Sequence, residues 1–281
     1  MAKTKEDKRK GTSGQLVNYL RDSYLDRTSR PVYALAYLLL FIVIYEIGTM
    51  LISPETLNRS QGRVVSFVWL QNALEYVGFS QRFVWAAPPL AVALILLGLQ
   101  ISSKTSWKVY LSDFIPMTVE CILLAVPLIV LCLALNRSVN PNSAVVAMQT
   151  STATESASGG FWVNIVTGIG AGIYEELIFR LVLICILMVL FQDLLGLDRT
   201  ISVVLSVLIS AVLFSLHHHI FLLDGYVQRG EAFSFMKFAF RLLAGVYFAV
   251  LFAVRGFGIA AGTHAYYDII AAVLNAVVYN D

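Results

Sequence analysis

Charged side chains are scarce in this sequence. Only 14% of its 281 residues are Asp, Glu, Lys or Arg, against about 25% in a soluble domain. Together with a hydrophobic content of 58%, that scarcity excludes a soluble globular chain and defines a polytopic membrane protein. A formal net charge of +2 provides no extended positive field, so nucleic acid is not a partner. Cysteine is rarer still. Cys121, Cys132 and Cys185 fall inside apolar runs with no CxxC spacing, which excludes a disulfide framework and a zinc–thiolate site and reads as small core hydrophobes. The HExxH zinc motif is absent. So is any internal repeat of the inverted kind, which counts against a transporter. Residues 1–30 are polar and charged, so no cleavable signal peptide is expected.

What the chain does have is long apolar runs. A helix needs roughly 20 apolar residues to cross a bilayer. Runs at about 32–52, 83–101, 117–135, 161–191, 201–223, 238–254 and 259–278 meet or approach that length. The expectation is an all-α transmembrane bundle of seven spans, with an eighth in 62–82 or from a split of 161–191. Residues 1–14 read as a disordered tail and residues 15–30 as a short surface helix. Lys3, Lys5, Lys8, Arg9, Lys10, Arg21, Arg27 and Arg30 precede the first span, which places the N-terminus in the cytoplasm by the positive-inside rule. Pro88 and Pro89 kink or delay the second span. Arg241 reads as an interfacial snorkeller and Arg255 as a topology signal. Glu46 and Glu120 are further carboxylates within or at the end of spans.

The stretch that organises the rest is Gly168-Ile169-Gly170-Ala171-Gly172-Ile173-Tyr174-Glu175-Glu176-Leu177-Ile178-Phe179-Arg180. An ionised carboxylate in hydrocarbon is unfavourable by roughly several kcal/mol and persists when it is paired, faces a polar cavity or carries a function. Glu176 and Arg180 are four apart and pair along one helix face. Glu175 is rotated about 100° away and needs a partner from another helix. The three glycines weaken the helix and permit a break just before the carboxylates.

Two other intramembrane clusters supply candidates: His217-His218-His219, after Phe214, and His264 with Asp268. His264 and Asp268 share a helix face. That spacing suits two ligands of one metal or two groups converging on one substrate oxygen. A hydrolytic site needs a base, a group that orients the water and donors for the developing oxyanion. Glu175, held away from water, suits the base. A histidine of the next span suits the second role, and His264 the third. His217 and His219 point off the face set by Phe214 and His218 and read as bystanders.

In order, EExxxR (Glu175, Glu176, Arg180), FxxxH (Phe214, His218) and HxxxD (His264, Asp268) resemble the three motifs of the CPBP intramembrane proteases. That family includes the CAAX prenyl endopeptidases and bacterial proteins of bacteriocin processing and immunity. The resemblance covers residues 160–281 as a catalytic transmembrane domain, after a tail at 1–31 and transmembrane helices and loops at 32–159. It implies a bundle of seven to eight spans around a conical polar cavity, in a bacterial cytoplasmic membrane. It implies endopeptidase action on a membrane-embedded peptide or protein substrate, prenylated or not, with a non-catalytic scaffold or immunity protein as the alternative. By the same resemblance, Glu175 activates water with the help of His218, His264 and Asp268 stabilise the oxyanion, and Glu176, Arg180 and Phe214 are structural. Asp268 stands where the prenyl-protease branch has Asn. An ionised Asp would repel an oxyanion, so it must be protonated, orient His264 or bind a metal. Glu175, His218, His264 and Asp268 form the corresponding candidate metal set, and zinc accepts such N and O ligands.

Overall fold

The computed structural model describes residues 19–52, 65–76, 78, 86–139, 160–223, 226–230 and 232–279. Residues 1–18, 53–64, 77, 79–85, 140–159, 224–225, 231 and 280–281 lie outside the described residues, and with them the expected tail at 1–14 and part of the expected span at 62–82. The short helix α1 (Tyr24–Thr28) leads into α2 (Pro31–Leu51), which starts with proline in its first turn, where the missing N–H has no intrahelical partner to lose. Then come α3 (Val65–Tyr76), α4 (Ala87–Ser103) and α5 (Phe114–Val139), the last preceded by a 3-10 turn at Leu111–Asp113. Pro88 and Pro89 sit in the first turn of α4 and start that helix rather than kink it.

The long run from Phe161 to Leu194 is one unbroken helical stretch. It comprises α6 (Phe161–Glu176), a π-helical segment (Leu177–Val182), α7 (Leu183–Met188) and a second π-helical segment (Val189–Leu194). After it come α8 (Arg199–His217), a two-stranded antiparallel hairpin of β1 (Ile220–Leu223) and β2 (Tyr226–Arg229), α9 (Phe235–Arg255) and α10 (Phe257–Tyr279). In the hairpin Ile220 pairs with Arg229 and Leu223 with Tyr226. Among the described residues, six helices are long and apolar enough to cross a membrane, and α4 is a shorter seventh. The polytopic helical bundle is therefore as the hydropathy requires.

Two local expectations change. The apolar run to Leu223 is not all helix: α8 stops at His217 and the last four residues turn into a strand, a distinction that a short apolar run cannot make. The helix also does not break at the glycines. Gly168 and Gly172 lie one turn apart against α10: a Cβ on Gly172 would stand 2.5 Å from the Ala265 backbone nitrogen, and one on Gly168 would stand 2.6 Å from the Asp268 Cβ. The glycines let two backbones meet, as small residues do between membrane helices.

That contact marks the centre of the molecule. α10 packs against α2, α5, α6 and α9. Ala260, Ala261, Ala265 and Ala271 on it are all buried. Its mean hydropathy of 1.2 is the lowest of the six spans, yet it is the most enclosed. A helix sheathed by protein does not need the apolar surface that lipid demands.

The end of the bundle near α1 is tied by charge. Arg255 closes α9 on Glu120, with Nε 2.5 Å from Oε1 and Nη2 2.8 Å from Oε2, and donates to the Leu25 carbonyl and Thr28 Oγ1. The Tyr24 hydroxyl donates to the same carboxylate at 2.7 Å. Arg27 grips Asp113 through both Nε and Nη2 at 2.9 Å. Arg255 is thus a buried clamp between three elements, α1, α5 and α9, and Arg241 is also buried rather than reaching out to an interface. Cys121 and Cys132 are buried as expected, whereas Cys185 is exposed on the bundle's outer face.

Candidate active site

The site is built from α6, α8 and α10. Glu175 and Glu176 close α6, both buried. Consecutive helical residues diverge by about 100°, so they meet different neighbours. Glu176 looks at Arg180 and α10. Its Oε2 lies 3.1 Å from Arg180 Nε, and its Oε1 is 2.8 Å from His264 Nδ1. The Arg180 guanidinium, fully buried, also donates to the Gly245 carbonyl at 3.4 Å and lies 4.2 Å over the Phe214 ring. That cation–π contact gives Phe214 a purpose beyond packing.

Glu175 looks the other way, toward α8. Its Oε1 is 4.0 Å from His217 Nε2, and its Oε2 has no hydrogen-bond partner among the described residues. A gap of 4.0 Å is beyond hydrogen-bond reach but suits a water bonded to both groups. His217 packs between Trp69 of α3 and Phe179, at ring-centroid distances of 4.9 Å and 5.3 Å. His218, one residue on, joins its Nδ1 to the Phe214 carbonyl at 2.9 Å, and its ring lies 5.0 Å from that of His217. His219 turns away to Phe233 and Phe238.

His264 is the most constrained of these rings. It stacks on Phe248 at 4.5 Å with 15° between the planes. Its Nδ1 is held by Glu176, and its Nε2 lies 3.7 Å from Asp268 Oδ2, one turn along α10. A carboxylate therefore stands beside each ring nitrogen. From Arg180 through Glu176 and His264 to Asp268, four ionisable side chains run in series through buried space.

The π-helical segment starts immediately after Glu176. Such widened turns free backbone carbonyls and recur at functional sites. Here the Ser210 hydroxyl donates to the Phe179 carbonyl at 2.6 Å. Ser202, Ser206 and Ser210, four residues apart, are all buried on α8, a stripe whose spacing is visible in the sequence. The Tyr174 hydroxyl donates to Glu46 at 3.5 Å, which brings the carboxylate of α2 to the edge of the site. An apolar cleft of about 450 Å³, walled by Trp69, Phe179, Val182, Leu213 and Leu216, has His217 as its titratable group.

The structure thus brings together Glu175, Glu176, Arg180, Phe214, His264 and Asp268, with His218 at their margin. His217, Trp69 and Phe248 join them. His217 stands at a helix end, where rotation by residue count is unreliable, and nothing in the sequence marks Trp69 or Phe248. Among the described residues, no three His, Cys, Asp or Glu side chains converge as a ready-made metal site. In the candidate metal set, His264 is held between Glu176 and Asp268, His218 Nδ1 meets the Phe214 carbonyl and Glu175 faces His217, so the chemistry below is derived from these residues alone.

Fold and site together define a multi-pass integral membrane protein with an acid–base cluster enclosed by its spans. Residues 157–270 match the family model of the type II CAAX prenyl endopeptidase Rce1-like proteins, so that segment is similar to CAAX proteases. No curated protein matches the chain, and no solved structure does.

Proposed function

We propose that the protein is an intramembrane endopeptidase in which Glu175 activates the water that attacks a peptide bond. The observation that carries this reading is the buried Glu175 carboxylate, with Oε1 4.0 Å from His217 Nε2 and Oε2 without a hydrogen-bond partner among the described residues. A buried acceptor without a partner is unfavourable by about 1–3 kcal/mol, and a water to be activated supplies that partner. Glu175 takes a proton from the water, and the resulting hydroxide adds to the scissile carbonyl. The same proton then passes to the leaving amine as the C–N bond breaks. His217 and His218 border the water's position.

His264 serves the oxyanion. Its Nδ1 is bonded to Glu176 at 2.8 Å, and its Nε2, 3.7 Å from Asp268, is the nitrogen that donates to the oxyanion. Asp268 orients that edge of the ring, which accounts for an aspartate near a developing negative charge. Glu176 and Arg180 fix the ring and the helix. The substrate is a membrane-associated peptide or protein, prenylated or not, and the apolar cleft at His217 suits an apolar segment next to the cut.

The test is cleavage of a library of membrane peptides, with and without a prenyl group, by the purified protein, beside Glu175→Gln and His264→Ala, with and without chelator. Cleavage by the wild type and a loss of about 10²-fold or more in both variants, each still folded in detergent, supports the reading. Equal activity of wild type and Glu175→Gln overturns it. A folded wild type that is silent on every substrate favours a non-catalytic scaffold. Loss of activity on chelation would assign a metal to this cluster.

A further inference from the structure

A second recess lies at the α1 end of the bundle and takes no part in the proposed chemistry. Its outer compartment is a polar cleft of about 1050 Å³ between α1, the residues after α4 and the start of α5. Five cationic side chains border it (Arg21, Arg27, Arg30, Lys104 and Lys108) against three acidic ones (Asp22, Asp26 and Asp113). Its inner compartment is a narrow slot of about 90 Å³ whose apolar walls are Ala34, Leu96, Leu99, Leu181, Phe252 and Phe257. Both compartments share Asp26, Arg30, Ser103 and Thr105, so they form one recess with Arg30 at the boundary.

Arg30 is 7% exposed. Its Nη2 already serves Asp22 and Asp26, each at 2.6 Å, but its Nε has no hydrogen-bond partner among the described residues. Arg27 is consumed by its bidentate grip on Asp113. Lys104 and Lys108 carry no ion pair to a carboxylate among the described residues and are exposed. The cleft therefore offers one buried N–H and two unengaged ammonium groups above an apolar slot. Trp107 and Tyr110, both exposed, flank the lysines. Aromatic residues of this kind collect at the headgroup level of a bilayer.

We propose that this recess binds an anionic phospholipid, with its phosphate at Arg30 Nε, Lys104 and Lys108 and the start of an acyl chain in the slot between α2, α4 and α10. A free anion would use the cations and leave the slot unfilled. A zwitterionic lipid would bring a choline ammonium into a cleft with a cationic excess. Only a lipid with net negative charge satisfies both compartments, and basic pockets between membrane helices hold anionic headgroups by this combination. The proposal is independent of the peptidase reading.

The test uses the full chain in detergent, titrated separately with phosphatidylglycerol, phosphatidylcholine and inorganic phosphate. The midpoint of thermal unfolding is read for wild type, Lys104→Gln/Lys108→Gln and Leu99→Trp, each against its own lipid-free baseline. Phosphatidylglycerol is expected to raise the wild-type midpoint. The double lysine variant should need about twenty-fivefold more lipid for half the effect, since each basic residue near an anionic headgroup contributes about a fivefold gain. Leu99→Trp, which fills the slot, should weaken the lipid effect without touching a charge. An equal rise with phosphatidylcholine, a rise of full size with phosphate alone, or an unchanged phosphatidylglycerol response in the lysine variant overturns the proposal.

Discussion

Glu176 Oε1 and His264 Nδ1 stand 2.8 Å apart, joining residues 88 positions distant in the chain. The same carboxylate holds Arg180 at 3.1 Å. Glu176 is thus the hub through which α6 positions a ring on α10. Its removal should damage the fold before it damages the chemistry. Glu176→Gln keeps the size and an acceptor for His264 but leaves Arg180 buried without its counter-charge. Removing one partner of a buried pair is destabilising by about 3–5 kcal/mol. Unfolding in detergent should show a loss of that order, and Glu176→Gln/Arg180→Met should recover much of it. Equal stability of wild type and the single variant would remove the hub role.

The helix contact at the glycines gives a second expectation. In Gly172→Ala the added methyl meets the Ala265 backbone, with nothing flexible to yield. Overpacking of this kind is unfavourable by about 1–3 kcal/mol. Since α6 carries Glu175 and α10 carries His264, activity should fall along with the unfolding midpoint. Gly98→Ala is the control: nothing lies within 4 Å of its added methyl, and alanine is favoured over glycine inside a helix by about 0.5–1 kcal/mol. A Gly172→Ala protein as stable as the control would show that the two helices do not need their close approach.

His217 is the third subject. Its Nε2 faces Glu175 at 4.0 Å, so His217→Phe, which preserves a ring against Trp69 and Phe179, should lower the cleavage rate at least about tenfold with little change in unfolding. An unchanged rate would make this histidine a packing residue. His218→Phe, measured in parallel, tests the residue that the family motif singles out.

The tether at the start of the chain can be checked without any substrate. Asp113 accepts two hydrogen bonds from Arg27 and one from the Tyr33 hydroxyl. Hydrogen bonds to charged groups contribute about 1.5–3 kcal/mol each. Asp113→Asn should therefore loosen α1, and limited proteolysis should cut within 19–30 sooner than in the wild type. Equal cutting rates would mean that the Arg255 clamp holds α1 unaided.

Much of this architecture is legible in the sequence, because membrane spans follow from hydropathy and the three polar clusters are rare within apolar runs. Glu175, Glu176, Arg180, His264 and Asp268 could be marked by their cost in hydrocarbon alone. What escaped was information held in rotation and in partners. The three adjacent histidines lie where α8 ends, so helical phase could not decide which of them faces Glu175. The glycines read as a weak point because their partner, the backbone at Ala265, lies 93 positions downstream. Arg241 and Arg255 read as boundary residues because one side chain looks the same whether it reaches lipid headgroups or a buried carboxylate such as Glu120. The hairpin at Ile220–Arg229 was hidden by an apolar run that suits strand and helix alike.

The widened turns at Leu177–Val182 set the phase of everything beyond them. A residue deleted there would tighten the turn toward an ordinary α-helix and rotate Leu183 to Leu194 like a dial, while Glu175 and Glu176, upstream, kept their seats against α10. The carboxylates and the outer half of the same helix are joined through a segment that itself carries Phe179 and Arg180, so a change of length at this point moves the partner of Glu176 together with the face shown to α8 and to the surrounding membrane.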